Sequence, residues 1–235
     1  MGRAFEFRKA RKMKRWGNMS RLFTKYGRDI AMAVKSGGPN PESNSRLRAV
    51  IQNARHDNMP KDNIERAIKN ASDKSAADFK EMVYEGYGPH GIAILVETAT
   101  DNSTRTVANV RSIFNRNEGS LGTSGSVDFM FERKCRFRIP KGEIDLEELE
   151  LELIDVGGEE AFQDEDTILI YGEFASFGSI QKFLEDKCYN ILNADFERIP
   201  SDTKELTPEQ QEDIHKIVEK LEEDDDVQNV YTTMA

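Results

Sequence analysis

The residues best suited to chemistry in this chain are cations interleaved with aromatic rings. Arg3, Arg8, Lys9, Arg11, Lys12, Lys14 and Arg15 stand within the first 18 residues against a single acid, Glu6, with Phe5, Phe7 and Trp16 among them. Cations neutralise phosphates, and a flat ring set between them stacks on an unpaired base. Trp16 is therefore a candidate stacking residue. The stretch has no helical period and too little apolar content for a core, so it reads as an arm that is loosely ordered when free. A solubilising tail or a mitochondrial transit peptide, also rich in Arg and poor in acids, fits the same composition. Further cations recur beside apolar stripes: Lys25 and Arg28, then Arg46, Arg48 and Arg55, then Lys61, Arg66 and Lys69, and later Arg105. These nine join the seven of the arm as candidate nucleic-acid contacts. Tyr87, on the glycine-rich turn 86–91, is a second candidate stacking ring. The glycines alone would also explain that turn, through their freedom to adopt positive φ.

Other chemistries find little support. No Ser-His-Asp or Cys-His order, nucleophile elbow or carboxylate constellation stands out. His90 has no local partner to make it a base. Two distant cysteines, Cys135 and Cys188, and three scattered histidines do not make a zinc site, and two free thiols in a reducing compartment are expected. Gly119, Gly122 and Gly125 are not followed by the lysine of a phosphate loop and lead into an expected strand at 127–131. They read as a flexible hairpin-like loop whose N–H groups remain able to meet a backbone phosphate. The acidic run 222–226 lacks the alternating ligands and glycine of a calcium loop and reads as a solvated helix end. No catalytic residue, metal or cofactor is expected.

The elements that must position the cations follow from periodicity. Met19, Leu22, Phe23, Tyr26, Ile30, Ala33 and Val34 repeat at helical spacing, and 37–39 (Gly-Gly-Pro) ends that helix. Asn40-Pro41 reads as the cap and first residue of a second helix striped by Leu47, Val50, Ile51 and Ala54. Pro60 reads as the first residue of a third, with Ile64, Ala67, Ile68 and Ala71 on its apolar face. Most small three-helix units are not helix-turn-helix modules, but the outward faces here are largely basic. A Ser/Ala/Asp/Lys linker follows at 72–81. Next come a strand at 81–85, a strand at 92–98 buried on both faces, and a helix capped at 101–104. That helix carries Val107, Val110, Ile113 and Phe114 on one side and Arg105, Asn109, Ser112 and Arg116 on the other. From about 133 the order is β-α-β-β-α-β, which is ferredoxin-like. Thr207-Pro208-Glu209-Gln210 opens a last helix with a capping signature. A closing strand at 227–232 must pair with an earlier sheet, for which the central domain is the candidate.

The totals agree with this reading. The chain has 235 residues and a net charge of −10. Residues 1–70 hold 17 Lys/Arg and 6 Asp/Glu, a balance of +11, so the remainder holds −21. Local fields depend on local charge, and such asymmetry points to a polyanion-binding segment. No apolar run reaches the roughly 18–20 residues of a membrane helix, and no secretory signal is evident, so a cytoplasmic protein without membrane contact is expected.

Several stretches together resemble the YebC family, bacterial proteins with a mitochondrial translational activator as a relative. They are 35–38 (Lys-Ser-Gly-Gly), 40–44 (Asn-Pro-Glu-Ser-Asn) with 46–48, 58–69, 84–91, 100–102 with 105–107, 117–134, and 224–232. The match spans nearly the whole chain, although 133–203 matches by pattern more than by motif. The resemblance implies a three-domain, non-enzymatic protein with a helical N-terminal domain and two α/β domains. It also implies a role as a DNA-binding transcriptional regulator, or at the ribosome in easing difficult peptide-bond formation. Two departures stand out. The family's commoner Gly-His-Ser-Lys-Trp arm is replaced by Gly2-Arg3-Ala4-Phe5-Glu6, and its Gly-Pro-Gly-Gly turn by Gly88-Pro89-His90-Gly91. The first leaves the role of residues 2–16 outside what the resemblance carries.

The expectation is an α+β protein with a basic arm (1–18), a three-helix domain (19–78), a central α/β domain (79–132 with 204–235) and a ferredoxin-like domain (133–203). Its expected activity is nucleic-acid binding in the regulation of gene expression, with ribosomal RNA favoured over DNA and a monomer over an oligomer. A protein–protein adaptor is a third class.

Overall fold

A computed structural model describes residues 19–73 and 78–235. The helices are α1 (Met19–Gly37), α2 (Ser45–His56), α3 (Lys61–Ala71), α4 (Ser103–Arg116), α5 (Leu146–Ile154), α6 (Phe177–Asp186) and α7 (Pro208–Glu222). The strands are β1 (Lys80–Tyr87), β2 (Ala93–Thr100), β3 (Ser120–Leu121), β4 (Phe131–Pro140), β5 (Gly158–Asp164), β6 (Thr167–Glu173), β7 (Asn193–Pro200) and β8 (Val227–Thr232). The described residues fall into two compact units. The first takes 19–28, 78–132 and 199–235, and the second takes 29–73 and 133–198. The helical segment expected at 19–78 thus contributes to both.

In the first unit a sheet of order β3-β1-β2-β8 is antiparallel throughout. The closing strand β8 joins the central sheet, as expected, where its partner is β2. β2 is buried on both faces because α4 and α7 cover one side, where Ile94, Val96, Val110, Phe114, Ile214 and Ile217 pack together. A smaller cluster of Ala93, Leu95, Val127, Phe131 and Tyr231 covers the other. Thr207 and Gln210 form the expected capping box of α7.

The second unit holds the expected β-α-β-β-α-β run, β4-α5-β5-β6-α6-β7, with sheet order β5-β6-β4-β7. The helix-facing positions of β4 (Cys135, Phe137 and Ile139) pack with Leu149, Leu153, Ile180 and Leu184. Strand β7 is an edge, and unpaired edges invite further strands. Asn53 of α2 occupies part of it. Its side-chain amide donates to the Ala194 carbonyl at 2.7 Å, and its oxygen accepts from the Ala194 N–H at 2.9 Å.

Three local expectations are corrected. Helix α2 starts at Ser45, four residues after Pro41, because the cap is Asn44 and not Asn40. Asn44 accepts from the Leu47 N–H at 3.0 Å and donates to the carbonyls of Ala33 and Gly38. Gly37 is required there, since a Cβ would lie 2.7 Å from the Asn44 side chain. Asn40 instead turns the chain, accepting from the Glu42 N–H. Pro60 is the residue before α3 and not its first. The alternating stretch 127–131 is no strand: Asp128–Met130 is a 3-10 turn, and β4 begins at Phe131.

The Asn53 contact predicts its own test. Asn53→Ala leaves the Ala194 N–H and C=O without partners at a site that is 7% exposed, and should cost about 2–4 kcal/mol in urea unfolding. Asn53→Asp retains the acceptor but faces the Ala194 carbonyl with a like dipole, and should be no better than alanine.

Candidate nucleic-acid interface

The arm cations Arg3, Arg8, Lys9, Arg11, Lys12, Lys14 and Arg15, and Trp16, lie outside the described residues. The other nine candidate cations divide sharply by environment.

Lys25, Arg28 and Arg105 lie in the first unit, and the two arginines meet at one carboxylate. Asp226, 1% exposed, receives Arg28 at 2.8 Å and the Arg105 guanidinium at 2.8 and 2.9 Å. The hydroxyls of Thr106 (2.7 Å) and Thr100 (3.3 Å) also donate to it. Arg28 further donates to the carbonyls of Ala99 and Asp225 and lies 5.3 Å from the Phe79 ring centre. Lys25 reaches the Gln228 carbonyl at 3.5 Å. Asp226 therefore holds α1, the end of β2, the first turn of α4 and the start of β8 in one joint. The solvated end expected for the acidic run 222–226 is corrected at this residue. Burial works to raise the Asp226 carboxyl, but the Thr106 hydroxyl, Arg105 and Arg28 outweigh it, so its pKa is held below the ordinary carboxylate value.

The remaining cations belong to the second unit. Arg48 is used internally. Its Nε donates to Glu185 at 2.8 Å, and its terminal nitrogen to the Pro41 and Glu42 carbonyls. Arg46 is half-buried. Arg55, Lys61, Arg66 and Lys69 are exposed at the end of α2 and along α3, where Ile64 is the residue that turns fully inward. Lys61 makes a loose pair with Glu65 at 3.5 Å, three-quarters exposed, and such pairs contribute little.

A βαββαβ sheet is a frame that elsewhere binds RNA through aromatics on its open face. In this chain ion pairs occupy that face. Arg136 meets Asp195 at 2.8 Å and Glu197 at 3.4 Å, and Arg138 meets Asp164 at 3.2 Å. Tyr171, opposite Arg136 on β6, is 3% exposed and donates to Glu197. Phe162 of β5 stacks on Tyr171, with ring centres 6.0 Å apart, and is half-buried there.

The loop after β3 is also resolved differently from its sequence reading. The buried carboxylate of Glu85, 4% exposed, accepts the N–H groups of Gly125, Val127 and Asp128, each at 2.7 Å. The amides expected to be open to a phosphate are thus filled by the protein's own anion, and the loop is pinned. Tyr87, 38% exposed, lies beside it, with its hydroxyl 3.5 Å from the Ser126 carbonyl. His90 has a partner distant in sequence, Asp213, at 3.0 Å. Both cysteines are free, and burial pushes the Cys135 thiol up to about 12. Among the described residues no helix is long and apolar enough to cross a membrane, and no His/Cys/Asp/Glu group is arranged to hold a metal.

Sequence reasoning missed Asp226, Glu85 and Asn53. Each acts through a partner far along the chain, and none stands out in its own window.

Fold and site together define a mixed α/β protein with two four-stranded sheets, one of them ferredoxin-like, preceded by basic helices. The chain belongs to the TACO1/YebC family. The model described as "TACO1/YebC protein N-terminal domain" matches residues 3–74, and that described as "TACO1/YebC second and third domain" matches 79–234. A protein of Flavobacterium johnsoniae named "Probable transcriptional regulatory protein" is 66% identical, over 100% of this chain and 99% of that one. A protein of the same name from Parabacteroides distasonis is 65% identical, over 100% and 97%. The crystal structure of the conserved hypothetical protein Aq1575 from Aquifex aeolicus is similar at a TM-score of 0.81 and 38% identity, covering 94% of this chain and 91% of that one.

The Asp226 joint makes a pH-dependent prediction. Removing one partner of a buried ion pair costs about 3–5 kcal/mol, so Asp226→Asn should lose about that much at neutral pH. The folded pKa lies below the unfolded value of about 3.9. The stabilisation is therefore complete above about pH 5 and is lost as pH falls through the folded value. Urea unfolding of both proteins from pH 7 to 3 should show their difference constant at first and shrinking below about pH 4.

Proposed function

We propose that this protein is a non-enzymatic, RNA-binding regulator of gene expression that acts at the ribosome and eases difficult peptide-bond formation by positioning, with no covalent step. The observation that carries the binding reading is the charge segregation, +11 in the first 70 residues of a chain whose net charge is −10. Its geometric complement is the division of the cations into two classes. Arg28, Arg48 and Arg105 hold the fold, whereas Arg55, Lys61, Arg66 and Lys69 project outward on α2 and α3. The outward set on α2 and α3 is one proposed group of phosphate contacts, and the arm cations Arg3, Arg8, Lys9, Arg11, Lys12, Lys14 and Arg15 are proposed from sequence as another. The ribosomal part rests on the family resemblance. The names of the relatives, which speak of transcription, favour DNA as a second reading.

A surface that neutralises six phosphates should lose affinity on the order of 10³-fold between about 50 and 200 mM salt, and a flat response would sink the binding reading. Replacing Arg8, Lys9, Arg11 and Lys12 with alanine should reduce the logarithmic salt slope by about 3. The triple change Arg55→Ala, Arg66→Ala, Lys69→Ala should reduce it by about 2 and leave the unfolding midpoint in place. Arg48→Ala should do the reverse. Cross-linking in cells followed by sequencing of the attached nucleic acid separates the two targets: ribosomal RNA supports the first reading and promoter DNA the second.

A further inference from the structure

Among the described residues the most exposed large hydrophobic side chain is Phe129, at 75%. It sits on a segment that is held firmly on both sides. Before it, Glu85 binds three loop N–H groups, and the Gly122 N–H donates to the Glu85 carbonyl at 2.7 Å. After it, Phe131 is 7% exposed in the cluster with Ala93, Leu95, Val127 and Tyr231. The intervening turn, Asp128–Met130, is closed by the Met130 N–H on the Val127 carbonyl at 2.9 Å. The backbone is thus ordered in advance, and the ring it presents faces water. Pre-ordering of this kind removes an entropic cost from binding and suits a contact residue.

We propose that Phe129 is a stacking contact for an unpaired base of bound RNA, with Glu85 positioning the loop. The inference rests on the RNA-binding reading and assigns to it a site outside the basic surface. The surroundings select a base over a protein partner. A protein interface needs a broad patch, roughly 800 Å² on each side, with an apolar centre. Phe129 is a single ring between the exposed acids Asp128 and Glu132, and the loop tip offers the exposed, neutral Thr123 and Ser124. Such a patch matches one face of one base. The two acids repel the phosphodiester chain, so the site takes a base turned out from its strand and not the backbone itself.

The test measures binding of the full chain to a 12-nucleotide oligoadenylate and to a blunt RNA duplex over a range of salt. Phe129→Ala should weaken oligoadenylate binding by about tenfold, Phe129→Leu by nearly as much, and Phe129→Trp should retain it, since the contact needs a π-face. None should change the salt slope, because no cation is removed. Duplex binding should be unaffected. Unchanged oligoadenylate affinity in Phe129→Ala would overturn the stacking contact alone. So would leucine serving as well as phenylalanine, which marks a generic apolar contact such as a protein makes. If the unaltered chain binds oligoadenylate with no salt dependence, or not at all, the RNA-binding reading falls and the stacking contact falls with it.

Discussion

A carboxylate removed from water stays ionised only if cations and hydroxyls replace its hydration, and the first unit is arranged to satisfy that condition at Asp226. The partners come from the whole length of the unit. Arg28 is 198 residues away in sequence, Arg105 is 121 and Thr106 is 120. An uncompensated buried charge costs several kcal/mol, so none of these segments can leave without exposing or neutralising the acid. The joint therefore fixes the first half of α1 against β2 and β8.

Two other buried polar groups follow the same logic on a smaller scale. Glu85 compensates N–H groups that a tight, irregular loop cannot pair within itself, and Asn53 compensates one residue of a sheet edge. In each case a side chain from a regular element serves backbone groups that have no regular partner. Irregular backbone is thereby held as firmly as strand or helix. The loop from Gly122 to Met130 accordingly behaves as part of the scaffold, although its composition of Gly, Ser and Thr suggests freedom.

Much of this fold was legible in the sequence because apolar periodicity reports burial directly. The stripe of α1, the doubly buried β2, the ferredoxin-like order after 133, the capping box at Thr207 and the return of β8 to the central sheet were all readable on that ground. What failed shares one cause, which is that local composition cannot see a distant partner. The five acids at 222–226 look solvated unless Arg28 and Arg105 are known to converge on the last of them. Asn40-Pro41 has the form of a helix start, and Asn44 lacks that form, yet Asn44 wins because its amide also binds the carbonyls of Ala33 and Gly38. The stretch 127–131 alternates like a strand, but Glu85 takes the N–H groups that a strand would need. The site residues divide in the same way. Charge type was legible, whereas direction was not, and Arg28, Arg48 and Arg105 are turned toward acids of the protein itself.

That division bears on the proposed contact with a polyanion, which an acidic protein would have to make through part of its surface. At about 0.1 M salt the Debye length is roughly 10 Å, shorter than the span of a domain of this size. Acids farther than that from a bound polyanion would then be largely screened from it, and at low salt they would not be. Segregated charge therefore restricts where and in what orientation a polyanion can approach, while exposed cations distributed evenly over the chain would restrict neither.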